Sequence, residues 1–103
     1  MVEHMDTISF DQFRASGDVA DWQPDGDGAA VQFRTGDFAT GARLFASIAA
    51  LAEGMNHHPD VEVTYPRVRV HLVSHDAGGL TRKDADLAAE ISRAARELGI
   101  EAG

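Results

Sequence analysis

A chain of 103 residues, 44% hydrophobic and 25% charged, has the composition of one globular domain, which excludes wholesale disorder and a multi-domain architecture. Seventeen Asp and Glu against nine Lys and Arg leave a formal charge of −8; the acids are scattered along the chain and disfavour direct nucleic-acid binding. No cysteine is present, so disulfides, Cys-ligated zinc and thiol nucleophiles are excluded, in keeping with a reducing cytoplasm.

The first ten residues have no basic region followed by an apolar run, and no stretch approaches the roughly 20 consecutive apolar residues of a membrane span. A soluble, cytoplasmic protein that is not exported is expected. Residues 1–8 are expected to be loosely held. Val2-Glu3-His4 ahead of Met5 reads as an added leader, and His4 is given no role.

Ser9 to Ser16 forms about two helical turns, with Ser9 as N-cap and Gln12 closing a capping box. Gly17 stops it. Val19 to Trp22 and Ala29 to Arg34 are strand-like runs separated by the turn residues Gln23 to Gly28, which predicts a β-hairpin. The Asp25-Gly26-Asp27-Gly28 run lacks the further ligands of a calcium loop.

From Asp37 to Met55 apolar residues recur at spacings of three and four, with Thr35 placed to cap the helix and Asp37 in its first turn. One row is Phe38, Ala42, Phe45, Ile48, Ala49, Ala52 and Met55; a second, beside it, is Leu44, Ile48, Leu51 and Met55. Together they are wider than one small sheet requires. The excess is accounted for by a subunit contact or by Leu44 and Leu51 packing under the chain's own N-terminal segment.

Val61 to Tyr65 and Arg67 to Val73 alternate at period two, with Pro66 at a tight reversal between them. Val68, Val70 and Leu72 share one face. Arg67, Arg69 and His71 share the other, which reads as a solvated face, and His71 is left out of the site. Thr81 to Leu98 is the last helix, with Thr81 as N-cap, Asp84 in the first turn and Gly99 just past the end. The fold class expected is α+β: a four-stranded antiparallel sheet with helices on one face, in the order α-β-β-α-β-β-α, as a single domain over 1–103.

Three of the five histidines fall in two loop segments, Asn56-His57-His58-Pro59-Asp60 and Ser74-His75-Asp76-Ala77-Gly78-Gly79. If the strands between them pair as a hairpin, its open ends bring His57, His58 and His75 together. Neutral imidazole offers one donor and one acceptor nitrogen, so such a cluster is equipped for general acid–base chemistry. A three-His zinc site is the rival, although adjacent histidines project in different directions. A Ser74-His75-Asp76 triad suffers from the same adjacency. Ordinary loop and capping roles remain the plain alternative.

The segments Leu51-Ala52-Glu53-x-x-Asn56-His57-His58-Pro59-Asp60, Tyr65, and Val70-x-Leu72-x-Ser74-His75-Asp76-x-Gly78-Gly79-Leu80-Thr81-x-x-Asp84-x-x-Leu87-Ala88 closely resemble the pterin-4a-carbinolamine dehydratase family over roughly residues 33 to 92. The resemblance implies dehydration of 4a-hydroxytetrahydropterin to quinonoid dihydropterin, the recycling step that follows a pterin-dependent aromatic amino-acid hydroxylase. It implies no metal and no organic cofactor. It also implies His57, His58 and His75 as catalytic residues, with His58 mainly binding and orienting the pterin, and Asp60, Asp76 and Asp84 as further substrate-binding positions. A homo-oligomer, dimer or tetramer, is implied as well, and some members act instead as non-enzymatic dimerisation partners.

Three departures from the family pattern stand out. Asn56, where many members have Asp, supplies no negative charge to an imidazole. Pro66 replaces a turn Asn, and Asp76 stands where Glu is frequent.

Overall fold

The computed structural model describes residues 6–103. The readings made of residues 1–5, His4 included, lie outside the described residues.

Helix α1 (Phe10–Ala15) is closed at its start by the expected box: Ser9 Oγ accepts from Gln12 N–H at 3.0 Å and Gln12 Oε1 accepts from Ser9 N–H at 2.8 Å. Just ahead of it, Ile8 N–H donates to Leu80 O at 2.8 Å and the side chain packs on the core, so the end of the segment expected to be loose is tied down. Val19 to Trp22 is a turn rather than a strand. Val19 and Trp22, three residues apart, are both fully buried, and Trp22 N–H donates to Val19 O at 3.0 Å. That spacing is the signature of a turn, and two apolar residues alone do not distinguish it from a strand.

The sheet starts later, with β1 (Gln23–Asp25) and β2 (Gly28–Arg34) around the two-residue turn Gly26-Asp27. Helix α2 (Phe38–Met55) follows, then β3 (Asp60–Val63), β4 (Arg67–Leu72), α3 (Arg82–Glu97) and β5 (Glu101–Ala102). All pairings are antiparallel in the order β1-β2-β4-β3, and β5 pairs with β2 beside β1. The sheet thus has five strands where four were expected. Gly99, at φ +73°, turns the chain after α3, Ile100 buries, and the two residues of β5 are too few to show an alternation in sequence.

Ala29, Val31 and Phe33 of β2 and Val68, Val70 and Leu72 of β4 form the buried face, packed with Leu44, Ile48, Leu87 and Ile91 of the helices. Asp37, not Thr35, caps α2: its Oδ1 accepts from Thr40 N–H at 2.7 Å. Thr35 instead turns inward, its N–H on Pro66 O at 2.9 Å.

The two apolar rows of α2 also part company. Leu44 and Ile48 are fully buried in the chain's own core and Leu51 is half-buried, whereas Phe38 and Phe45 stay 57% and 43% exposed. The large apolar side chains of α2 left uncovered are therefore Phe38 and Phe45, and not those of the Leu44 row.

Candidate active site

Three element ends converge at one side of the molecule: the C-terminus of α2, the exit of β4 and the N-terminus of α3. Asn56 caps α2 in the left-handed conformation (φ 50°, ψ 44°), which Asn tolerates better than most residues. Its own N–H returns to Ala52 O and Glu53 O, and the next, His57 N–H, donates to Ala52 O at 3.1 Å. The reversal turns His57 toward the start of α3 and sends His58 back along α2.

His57 is 13% exposed, and its Nε2 lies 2.6 Å from Oδ1 of Asp84, whose side chain is fully buried. The other oxygen, Oδ2, accepts from Ser74 Oγ at 2.7 Å and from Thr81 N–H at 2.9 Å. A donor set of this kind suits an ionised carboxylate, and such bonds are stronger than neutral ones. With Nε2–H donating to Asp84, the neutral ring presents Nδ1 as its acceptor. No protein group among the described residues pairs with that nitrogen. Asp84 therefore stands behind His57, closed off from solvent and outside the cleft lining.

His58 is 58% exposed, and its Nε2 meets Glu53 Oε2 at 2.6 Å. Glu53 was quoted in the sequence match without a role. Its five-residue separation from His58 becomes a contact only because the αL cap folds the chain back. The two carboxylates, Asp84 behind His57 and Glu53 beside His58, place next to the paired histidines the negative charge that Asn56 lacks.

The third histidine sits in the loop after β4. Ser74 N–H donates to Gly79 O at 3.0 Å, and Ala77 and Gly78 N–H donate back to Ser74 O at 3.1 and 2.9 Å, closing a tight turn that displays His75 and Asp76 to solvent.

Asn56, His57, His58, Val73, Ser74, His75, Asp76 and Lys83 line one open cleft of about 410 Å³. The three histidines thus share a wall, as the hairpin argument required, and Asp76 joins them. Asp60 does not. It is an exposed residue of β3 in register with His71 and outside the cleft lining. Lys83, which sequence reasoning passed over, lines the cleft from the first turn of α3; a lone exposed Lys gives no signal in sequence. Among the described residues, no group of three or more His, Asp or Glu side chains is disposed to hold a metal ion.

An α+β domain with a buried Asp–His pair and two more histidines on one cleft defines a candidate acid–base binding protein for a small molecule. The family model described as pterin 4 alpha carbinolamine dehydratase matches residues 6–94, and the chain belongs to that family.

A Roseiflexus protein (strain RS-1) named as a candidate pterin-4-alpha-carbinolamine dehydratase is 39% identical over 75 residues, covering 73% of this chain and 81% of that one. A counterpart from Chloroflexus aurantiacus, similarly named, is 44% identical over 71 residues, covering 69% and 76%. Among solved structures, a transcriptional coactivator/pterin dehydratase from Brucella melitensis superposes with a TM-score of 0.79 at 27% identity, covering 87% of this chain and 99% of that one. A pterin dehydratase-like RuBisCO assembly factor of the α-carboxysome gives a TM-score of 0.57 at 21% identity, over 72% and 86% of the two chains, a likeness of fold alone.

Proposed function

We propose that the protein dehydrates 4a-hydroxytetrahydropterin to quinonoid dihydropterin and water. The observation that carries this reading is the His57–Asp84 pair, which leaves one imidazole nitrogen as a base at a cleft whose rim bears a second, exposed histidine, His75.

In the proposed step Nδ1 of His57 removes the proton from the ring nitrogen next to carbon 4a. The electron pair left on nitrogen forms the double bond to carbon 4a, the C–O bond breaks, and the departing oxygen takes a proton from His75 to leave as water. Atoms and charge balance without oxidant or reductant. His58, braced by Glu53, holds the pterin in register, and Asp76 at the rim offers an acceptor to the donor groups of the pterin ring. Asp60 has no part in this scheme.

The reading extends to a homo-oligomer joined through the Phe38 and Phe45 face of α2, and to a cytoplasmic role beside an aromatic amino-acid hydroxylase. The exposed aromatic row also favours a second reading, a dimerisation or partner-binding module of the same fold.

The test is the decay of freshly generated 4a-hydroxytetrahydropterin, followed by absorbance with a chelator present. The wild-type chain accelerates it, and His57→Ala and His75→Ala each lose roughly 10²- to 10⁴-fold, the usual worth of a positioned acid or base. A folded wild type that leaves the decay unchanged overturns the enzyme reading in favour of the binding module.

A further inference from the structure

Ser74 and Thr81 have no role in the scheme above, yet both are buried, and they connect the two histidine loops. Ser74 is 5% exposed and Thr81 not at all. Ser74 Oγ donates its one proton to Asp84 Oδ2 at 2.7 Å. The 2.8 Å contact between Ser74 Oγ and Thr81 Oγ1 therefore runs the other way, with Thr81 donating, and its 3.5 Å approach to Oδ2 is the weaker alternative. A directed chain results, Thr81 hydroxyl to Ser74 hydroxyl to carboxylate, in which each bond polarises the next. The main chain of Ser74, meanwhile, closes the turn that carries His75.

We infer that the Ser74 hydroxyl, backed by that of Thr81, is a positioning residue for the base: it keeps the buried Asp84 charged and in one rotamer, and so keeps His57 presenting Nδ1 to the cleft. The inference rests on the acid–base reading of His57.

The physical reason is that the Asp84 carboxylate is closed off from water, so its charge is balanced by protein donors alone: the Ser74 hydroxyl, Thr81 N–H and the His57 ring. Removing one donor destabilises the unprotonated pair most, because each added proton shields the carboxylate. Proton uptake by the pair then moves to higher pH. The other titratable and charged groups around it are Glu53 and His58 from the end of α2, His75 and Asp76 from the loop, and Lys83 from α3; all are exposed, and all but Glu53 line the cleft, so solvent screens them. The hydroxyls and Thr81 N–H are the groups on the buried side.

Ser74→Ala deletes the donor and keeps the main-chain bonds of the loop, and Ser74→Thr returns a hydroxyl. Expected for Ser74→Ala is a loss of about tenfold in kcat at pH 7, the worth of one hydrogen bond to a charged group, with KM within about twofold and the acid limb of the pH–rate profile displaced upward. Ser74→Thr recovers most of both. A variant that melts earlier but keeps kcat and the acid limb shows a merely structural hydroxyl and overturns the inference.

A titration of the His57 ring followed by ¹⁵N NMR in the free protein, assigned with His57→Gln, separates this inference from the dehydratase reading. If the wild type proves inactive on the pterin, an upward move of the ring's midpoint in Ser74→Ala still supports the positioning role. An unmoved midpoint overturns it whatever the substrate.

Discussion

Replacing Asp84 by Asn and by Ala separates two tasks carried by its two oxygens. Oδ2 closes the N-terminus of α3 through Thr81 N–H at 2.9 Å and takes the Ser74 hydroxyl at 2.7 Å, while Oδ1 faces His57 Nε2 at 2.6 Å. Asn keeps an acceptor for the cap and the hydroxyl but turns an amide NH₂ toward the imidazole, donor against donor. The bond lost is worth about 1.5–3 kcal/mol, and relief from burying a carboxylate offsets part of it, so the net cost is about 1 kcal/mol. Ala also loses the cap, about 1 kcal/mol, and opens a void at a fully buried position, about 1 kcal/mol more. At roughly 4–8 °C per kcal/mol for a domain of this size, thermal midpoints fall by about 6 °C for Asn and about 18 °C for Ala. Turnover does not follow that order. Both variants lose the acceptor that fixes the ring, so both fall by roughly 10²- to 10⁴-fold. Calorimetry and the pterin decay assay on the same preparations check the split. An Asn variant with wild-type turnover, or an Ala variant as stable as Asn, refutes the assignment of separate tasks to the two oxygens.

Gly28→Ala sets a Cβ 2.1 Å from Leu72 O across the β2–β4 pairing, against backbone that has no slack, so the variant is expected to lose more than ~3 kcal/mol or fail to fold, as read by urea unfolding. Phe38→Asp with Phe45→Asp is expected to convert the oligomer to monomer in light scattering with the monomer fold retained by circular dichroism, whereas Leu44→Ala costs about 2–5 kcal/mol of fold stability because Leu44 is fully buried in its own chain; a wild type that runs as a monomer refutes the interface. Acid lowers stability through Asp37 and Asp25. The Thr40 N–H bond holds the Asp37 carboxyl below its usual 3.8, and the Arg69 bond does the same for Asp25. The folded value being the lower, the contribution is complete above the unfolded value and is lost as pH falls through the folded one. Urea midpoints at pH 7, 4 and 3 are expected to drop most in the last interval, and Asp37→Ala to flatten that drop.

How much of this was legible in the sequence depends on the range of the interaction that decides each feature. The Ser9–Gln12 box, the run of α2 to Met55 and the alternation of β4 are settled within a few residues, and the structure has them where periodicity and capping chemistry put them. Val19 to Trp22 was misjudged because a turn and a short strand bury apolar residues alike. The N-cap of α2 went to Thr35 rather than Asp37, two residues off, since both are good caps and only the inward turn of Thr35 against Pro66 decides. The wide apolar face of α2 was visible, but which row the sheet would cover was not, because that depends on the angle at which the helix lies across β3 and β4. The histidine cluster followed from the hairpin. The Glu53–His58 contact, the depth of Asp84 and the Ser74 link needed coordinates.

Asp84 is at once a first-turn helix carboxylate and the partner of His57. A carboxyl group has two oxygens. At the N3 position one of them is drawn to the N-cap N–H, which fixes the side chain's rotamer and leaves the second pointing off the helix end. The αL cap of α2 brings an imidazole to that second oxygen, and the exit of β4 brings a hydroxyl to the first. The His57 ring is thus oriented by the same carboxyl group that starts the helix. Loop residues that carry chemistry ordinarily lose precision through loop motion. Here His57 is anchored by its main chain to one helix end and by its ring to another. The cost is that no conservative change at Asp84 leaves the His57 ring untouched, which is why, on the proposed reading of that ring as the base, the stability and turnover of its variants should part in the way set out above.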